Sequence, residues 1–256
     1  MMTATDTRKK AREALAGKWG KGALIALVYA IFSSILSTIS GKLEEGSAMA
    51  LIISLAIAII EIPISYGLII SFIKLKRGEE VGYFDFFKDG FNNFGRAWGL
   101  VGNTILKMVA PVILLIVSII IMGASFGFSA AGVLAGSTSS SLPAVAILGI
   151  IVYIAALIYA IVRGLLYSLS NYIAYDNSEM STKEAFEESA RLMNGNRGNL
   201  FVLELSFIGW AFLAGLTLGI GMLWLIPYMQ VAIVCFYEQL AGKETSTAEV
   251  VSSENE

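Results

Sequence analysis

The chain has 256 residues, of which 56% are hydrophobic and 15% are charged, and its formal net charge is −2. Soluble domains are about 45–50% apolar and about 25% charged, so this composition excludes an ordinary soluble domain and favours a multi-pass membrane protein. Histidine is absent and Cys235 is the only cysteine, which excludes disulfide scaffolds, zinc sites and histidine-dependent catalysis. We expect no enzyme activity, no metal, no cofactor and no nucleic-acid partner.

Long apolar segments predict a bundle of six transmembrane helices, because about 20 apolar residues in a helix cross the hydrocarbon core. The last segment is too long for one crossing and is expected to turn at Gly215, Gly219 and Gly221. The predicted spans are 22–39, 49–73, 98–122, 144–172, 199–216 and 221–240. Together they form one all-α membrane domain, 22–240, between an amphipathic N-terminal segment, 1–21, and a disordered tail, 241–256.

Two alternatives concern how single segments meet the membrane. A cleaved signal peptide is the alternative for the first span, although its apolar segment of about 18 residues exceeds the usual 7–15. The uncharged connection 123–142 is rich in glycine, serine and alanine, and it is expected to be an external loop or, alternatively, a re-entrant segment.

The distribution of basic residues predicts the orientation of the bundle. Lysine and arginine are concentrated before the first span, between spans two and three, between spans four and five, and after span six. The alternate connections hold only Lys42. Because positive residues favour the cytoplasm, both termini are predicted to be cytoplasmic.

Two connections predict amphipathic helices, over 82–95 and 181–194. The first has an aromatic stripe that is expected to face the acyl chains at the membrane interface, or alternatively the protein's own spans. In the second, Ser181 and Glu184 fit a capping box. The predicted membrane-interface residues of both helices are Phe84, Phe87, Phe91, Phe94, Phe186 and Met193.

The two amphipathic segments resemble copies of one unit. Six positions correspond at a constant offset of 99 residues, from Glu80 paired with Glu179 to Phe94 paired with Met193. The N-terminal segment is a weaker third copy. The chain is therefore predicted to contain three repeats of a cytoplasmic helix, an outward span, a turn and an inward span, although amphipathic segments at an interface can also be alike without repetition.

Glu61 is the strongest single candidate for a functional residue, because a charge at the centre of a span costs about 2.5–3.5 kcal/mol on insertion scales. Pro63 removes a hydrogen bond from the same helix and frees a carbonyl nearby. Lys107 and Arg163 are candidate partners, although both can instead snorkel to the interface. With Glu204, these residues make up the predicted binding site.

Several short motifs are similar to those of a known family. They include Arg12-Glu13-Ala14-Leu15, Tyr175-Asp176-Asn177, Phe207-Ile208-Gly209-Trp210 and Pro227-Tyr228. On these motifs the chain resembles the bacterial membrane-protein family called domain of unknown function 975. The resemblance implies a six-span protein of the bacterial plasma membrane and supplies no activity.

Three functional hypotheses follow from these features. The first is a non-enzymatic protein that binds or moves a lipid or another amphiphile, or modulates the cell envelope, with membrane lipids as partners. The second is an accessory or scaffold subunit that binds another membrane protein. The third is a proton- or ion-coupled transporter of a small solute that uses Glu61.

Overall fold

The computed structural model describes residues 3–42, 47–134 and 144–243, which contain helices and no strand. This confirms the all-α prediction. The helices are α1 (Ala4–Ala14), α2 (Trp19–Gly41), α3 (Ala48–Arg77), α4 (Asp85–Asn92), α5 (Phe94–Leu134), α6 (Ala144–Tyr167), α7 (Ser170–Asp176), α8 (Thr182–Leu192), α9 (Arg197–Leu216) and α10 (Met222–Leu240).

Six of these segments are long and apolar enough to cross a membrane: α2, α3, α5, α6 together with α7, α9 and α10. They correspond to the six predicted spans. The loop expected over 123–142 is too long, because α5 remains helical as far as Leu134. Residues 135–143 and most of the predicted tail, 244–256, lie outside the described part of the chain.

The predicted fourth span is interrupted between α6 and α7. Ser189 on α8 makes two hydrogen bonds at the break: its hydroxyl accepts from the Leu169 N–H at 3.2 Å and donates to the Leu166 carbonyl at 2.9 Å. These bonds satisfy backbone groups that a continuous helix would have paired internally. The break therefore depends on a side chain from another helix.

The two predicted amphipathic helices form as α4 and α8, each slightly shorter than expected. The capping box of α8 is present: Ser181 accepts from the Glu184 N–H at 3.3 Å, and the Glu184 carboxylate accepts from the Ser181 N–H at 2.8 Å. These bonds to Ser181 hold the pKa of Glu184 below its usual value. Thr3 and Asp6 make the same motif at the start of α1.

The three short amphipathic helices contact the long helices in a recurring way. α4 packs on α3, α8 packs on α6 and α7, and α1 packs on α10. The short helices α4 and α8, which begin the second and third predicted repeats, thus contact the inward helix of the preceding repeat. The helix α1, which begins the first repeat, contacts α10, the inward helix of the last repeat. The contacts close a ring, which is the arrangement that a threefold repeat produces.

Most of the buried core lies at one end of the bundle, where the short helices pack. In α3, for example, residues from Pro63 to Leu75 supply the buried positions, whereas Met49 to Ile60 are largely exposed. We call the end that carries α1, α4, α7 and α8 the charged face. The exposed apolar surfaces of the long helices lie beyond it and suit contact with lipid.

Glycine is required where α3 crosses α4, because the two helix backbones lie too close there for a Cβ atom. A Cβ atom on Gly67 would collide with the Phe86 carbonyl, and one on Gly90 would collide with the Pro63 carbonyl. Hydrogen at both positions lets the two backbones touch. This crossing buries Phe86 completely, where its ring packs against Tyr29 at 5.9 Å between centroids.

Candidate functional site

Glu61 lies where α3 changes from its buried half to its exposed half. The side chain is partly buried, and its carboxylate accepts a hydrogen bond from the Ser33 hydroxyl of α2 at 2.8 Å. Pro63, one half-turn further, is buried against Gly90 of α4. Glu61 is therefore held by the α2–α3 hairpin itself.

A cleft with serine side chains lies beside this hydrogen bond. Its cavity volume is about 370 Å³, and Tyr29, Ser33, Ser34 and Ser37 of α2 line it together with Leu68 and Ile226. The hydroxyl groups lie on one side of α2, because residues three or four apart share a helix face. The cleft thus shares Ser33 with the hydrogen bond to Glu61.

Lys107 and Arg163, the candidate partners of Glu61, make their contacts elsewhere in this structure. Arg163 on α6 donates to the Lys107 carbonyl on α5 at 2.8 Å, and its guanidinium lies 5.2 Å from the centre of the Tyr167 ring. The Lys107 ammonium lies 5.8 Å from the same ring. Each of the two cations therefore contacts the neighbouring helix of the α5–α6 hairpin: Arg163 of α6 contacts α5, and Lys107 of α5 contacts α6.

Glu204 is also separate from Glu61. It is exposed on α9 and close enough to Tyr172 of α7 to interact electrostatically. The five residues of the predicted binding site therefore fall in three places: Glu61 with Pro63, Lys107 with Arg163, and Glu204 on α9.

The predicted interface residues divide into exposed and buried groups. Phe84, Phe91 and Phe94 are exposed around α4 and remain candidates for lipid contact. Phe87 packs edge-to-face on Phe32 at 4.9 Å, so this part of the stripe faces the protein. The prediction is wrong for Phe186 and Met193, which are fully buried because α8 packs its apolar side against the α6–α7 break.

Sequence reasoning missed an ion-pair network at the charged face, formed by Lys76, Arg77, Asp176, Glu238 and Lys243. Arg77 donates two hydrogen bonds to Asp176, at 2.7 and 2.8 Å, and one to Glu238 at 2.9 Å. Lys76 pairs with Glu238, and Lys243 pairs with Asp176 at 2.7 Å. The network joins the ends of α3, α7 and α10.

An apolar groove lies between α1, α2, α9 and α10. Its cavity volume is about 400 Å³, and its lining includes Trp19, Trp210, Leu213, Trp224 and Tyr228, with Arg12 as the charged member. The ring of Tyr228 lies 5.7 Å from that of Trp19. We call this cavity the aromatic groove.

Arg12 belongs to the polar end of the aromatic groove. It is exposed on α1, and both Arg12 and Arg8 are close enough to the Tyr228 hydroxyl to interact with it electrostatically. The hydroxyl itself donates to the Arg8 carbonyl at 3.4 Å. The groove therefore combines apolar walls with positive charge at one end.

Comparison with known proteins decides the family. The family described as Protein of unknown function (DUF975) matches residues 1–244. The chain belongs to the DUF975 family. No curated protein and no solved structure matches the DUF975 chain. Family membership and the six apolar helices make this DUF975 protein a multi-pass membrane protein.

Two signals in the DUF975 sequence point to the features that were missed. Arg77 and Asp176 are 99 residues apart, which is the offset of the predicted repeat, and both end an inward helix. Asp176 also belongs to the family-like Tyr175-Asp176-Asn177 motif. Trp210 of the aromatic groove likewise belongs to the family-like Phe207-Ile208-Gly209-Trp210 motif, whereas Trp224 stands among many apolar residues and no local pattern distinguishes it.

Proposed function

We propose that this protein binds a lipid or another amphiphile in the aromatic groove. The observation that carries the proposal is the combination of an apolar cavity of about 400 Å³ with Arg12 at its edge. An acyl or other apolar chain would contact Trp210, Leu213 and Trp224. The guanidinium of Arg12 would hold an anionic head group, since arginine binds phosphate and carboxylate oxygens through paired N–H donors.

The distribution of charge supports an orientation for this site. Basic residues are concentrated in α1 and in the connections at the same face, so this face and both termini are proposed to be cytoplasmic. The amphiphile would then come from the cytoplasmic leaflet. The exposed side chains of Phe84, Phe91 and Phe94 support placing the membrane surface at the charged face, because aromatic side chains are enriched at membrane interfaces.

Reversing the charge of Arg12 tests the head-group contact. We expect Arg12→Glu to weaken retention of an anionic phospholipid, phosphatidylglycerol, by about tenfold, since a charge-assisted hydrogen bond is worth about 1.5–3 kcal/mol. The measurement is native mass spectrometry of the purified protein titrated with phosphatidylglycerol and with phosphatidylcholine.

Lys9→Glu is the matched control for this experiment. It makes the same charge change on α1, at an exposed residue that does not line the aromatic groove. Phosphatidylglycerol binding should be unchanged in Lys9→Glu and about tenfold weaker in Arg12→Glu. An equal loss in both variants, or in neither, would contradict the proposed site.

A second candidate function, proton-coupled movement of a small solute, is favoured by Glu61 and Ser33 beside the serine-lined cleft. A carboxyl group at membrane depth can exchange a proton with a wet cavity. We expect Glu61→Gln to abolish potential-driven proton uptake into proteoliposomes, measured with an enclosed pH-sensitive dye.

Glu204→Gln is the control for the proton experiment, because Glu204 is an exposed carboxyl on α9 that does not line the serine cleft. It should retain the uptake of the unchanged protein. Uptake by Glu61→Gln at the unchanged rate would refute this second function without affecting the lipid proposal.

A further inference from the structure

The α9–α10 hairpin ends well before the neighbouring α2–α3 hairpin. A Cβ atom on Gly22 of α2 would lie 3.0 Å from the Pro227 side chain of α10, which places these residues at the same level. From there α2 continues for 19 residues to Gly41, whereas α10 extends only five residues back to Met222. At about 1.5 Å per residue, the difference is about 20 Å.

The ion-pair network gives the same difference by a separate route. Arg77 and Glu238 meet in the network, and they lie 29 residues after Ala48 and 16 residues after Met222, the first residues of α3 and α10. The 13 extra residues of α3 again correspond to about 20 Å of helix. Measured from the charged face, the α9–α10 turn therefore lies about 20 Å closer than the α2–α3 turn.

The tip of the short hairpin is apolar and exposed. Leu216, Leu218 and Ile220 are 67%, 96% and 61% exposed, respectively. No aspartate, glutamate, lysine or arginine occurs from Leu205 to Tyr237, whereas the α2–α3 connection contains Lys42, Glu44 and Glu45. Exposing this tip to water would be unfavourable, because leucine and isoleucine side chains gain free energy when their apolar surface is removed from water.

The backbone of the tip supplies its own hydrogen bonds. Every N–H from Thr217 to Leu225 has an acceptor within this segment or in the last turn of α9. Thr217 provides one of them through its hydroxyl, which accepts from the Gly221 N–H at 2.9 Å and donates to the Ala214 carbonyl at 2.7 Å. An unpaired polar group in hydrocarbon costs several kcal/mol, so these bonds lower the cost of placing the N–H groups of the turn among acyl chains.

We propose that the α9–α10 hairpin is re-entrant: it enters the bilayer from the charged face and returns to that face, with Leu218 among the acyl chains of one leaflet. The helices that cross completely are then α2, α3, α5 and α6. A hydrocarbon core is about 30 Å thick, so a tip that ends about 20 Å short of the α2–α3 hairpin does not reach the same boundary of the core. This proposal does not depend on the lipid site.

Single-cysteine labelling tests the depth of the tip. Leu218→Cys and Lys42→Cys are each made in a Cys235→Ala background and treated in sealed vesicles of both orientations with a membrane-impermeant maleimide. We expect Lys42→Cys to react from the side opposite the termini. Leu218→Cys should react from neither side and become fully labelled after denaturation in detergent.

A spin label at residue 218 gives an independent readout. Its collision rate with oxygen should exceed that with a water-soluble nickel chelate, and the order should be reversed at residue 42. Labelling of Leu218→Cys from the same side as Lys42→Cys would overturn the proposal. If Cys235→Ala fails to fold, the experiment retains Cys235, because this thiol is buried and the unmodified chain reports its background.

Discussion

Replacing Arg77 with alanine is expected to lower the free energy of unfolding by about 1.5–3 kcal/mol, because it removes charge-assisted hydrogen bonds from two buried carboxylates, although Lys243 and Lys76 still pair with them. Arg77 is the residue that bonds both carboxylates of the network. The side chains of Asp176 and Glu238 are only 4% and 5% exposed. The measurement is chemical unfolding of the purified protein in lipid nanodiscs, followed by tryptophan fluorescence.

Lys243→Ala is the control for the network. Lys243 also pairs with Asp176, but its side chain is 40% exposed, so the pair is screened by water. We expect a loss of less than about 1 kcal/mol for this variant, as for exposed ion pairs in general. If Arg77→Ala were no more destabilising than Lys243→Ala, the network would not hold the three helices together.

The second large effect is expected at the α3–α4 crossing. The Cβ of Gly67→Ala would collide with the Phe86 carbonyl and lie 2.7 Å from the Gly90 backbone nitrogen, so α4 must move. Backbone cannot yield as a flexible side chain does, and overpacking of this kind costs about 1–3 kcal/mol or more. The midpoint of denaturant unfolding should fall. The backbone amides of α4 around Phe86 should exchange hydrogen faster, and α4 should be cleaved more readily by proteases.

Gly102→Ala on α5 is the matched control, because nothing lies within 4 Å of the position that the added methyl group would take. Alanine is favoured over glycine inside a helix by about 0.8–1.0 kcal/mol, so this variant should be as stable as the parent or more stable. Similar destabilisation by the two substitutions would mean that the close crossing at Gly67 is not required.

The long helices were predictable because apolar length alone determines them. The break between α6 and α7 was not, since it depends on Ser189, which comes 20 residues after Leu169 in the chain. The extra length of α5 was also missed, because Gly123 and the small residues after it are typical of loops, yet α5 continues to Leu134.

The candidate site shows what local sequence cannot decide. Glu61 was identified from its position in a span, but its partner Ser33 depends on the register between α2 and α3. Arg163 and Lys107 are brought together by the corresponding register of α5 and α6. The apolar side of α8 was recognised correctly, but Phe186 faces protein and not lipid, a distinction that amphipathicity does not make.

The unequal hairpins give the bundle a tapered cross-section. Near the charged face it contains sections of all six long helices and of α1, α4 and α8, whereas beyond the level of Leu218, in the part of the chain that the structure describes, α2, α3, α5 and α6 continue. A body of this shape occupies more area in one leaflet than in the other. It therefore favours a bilayer that bulges toward the charged face, and in a flat bilayer lipid must fill the space above the hairpin tip.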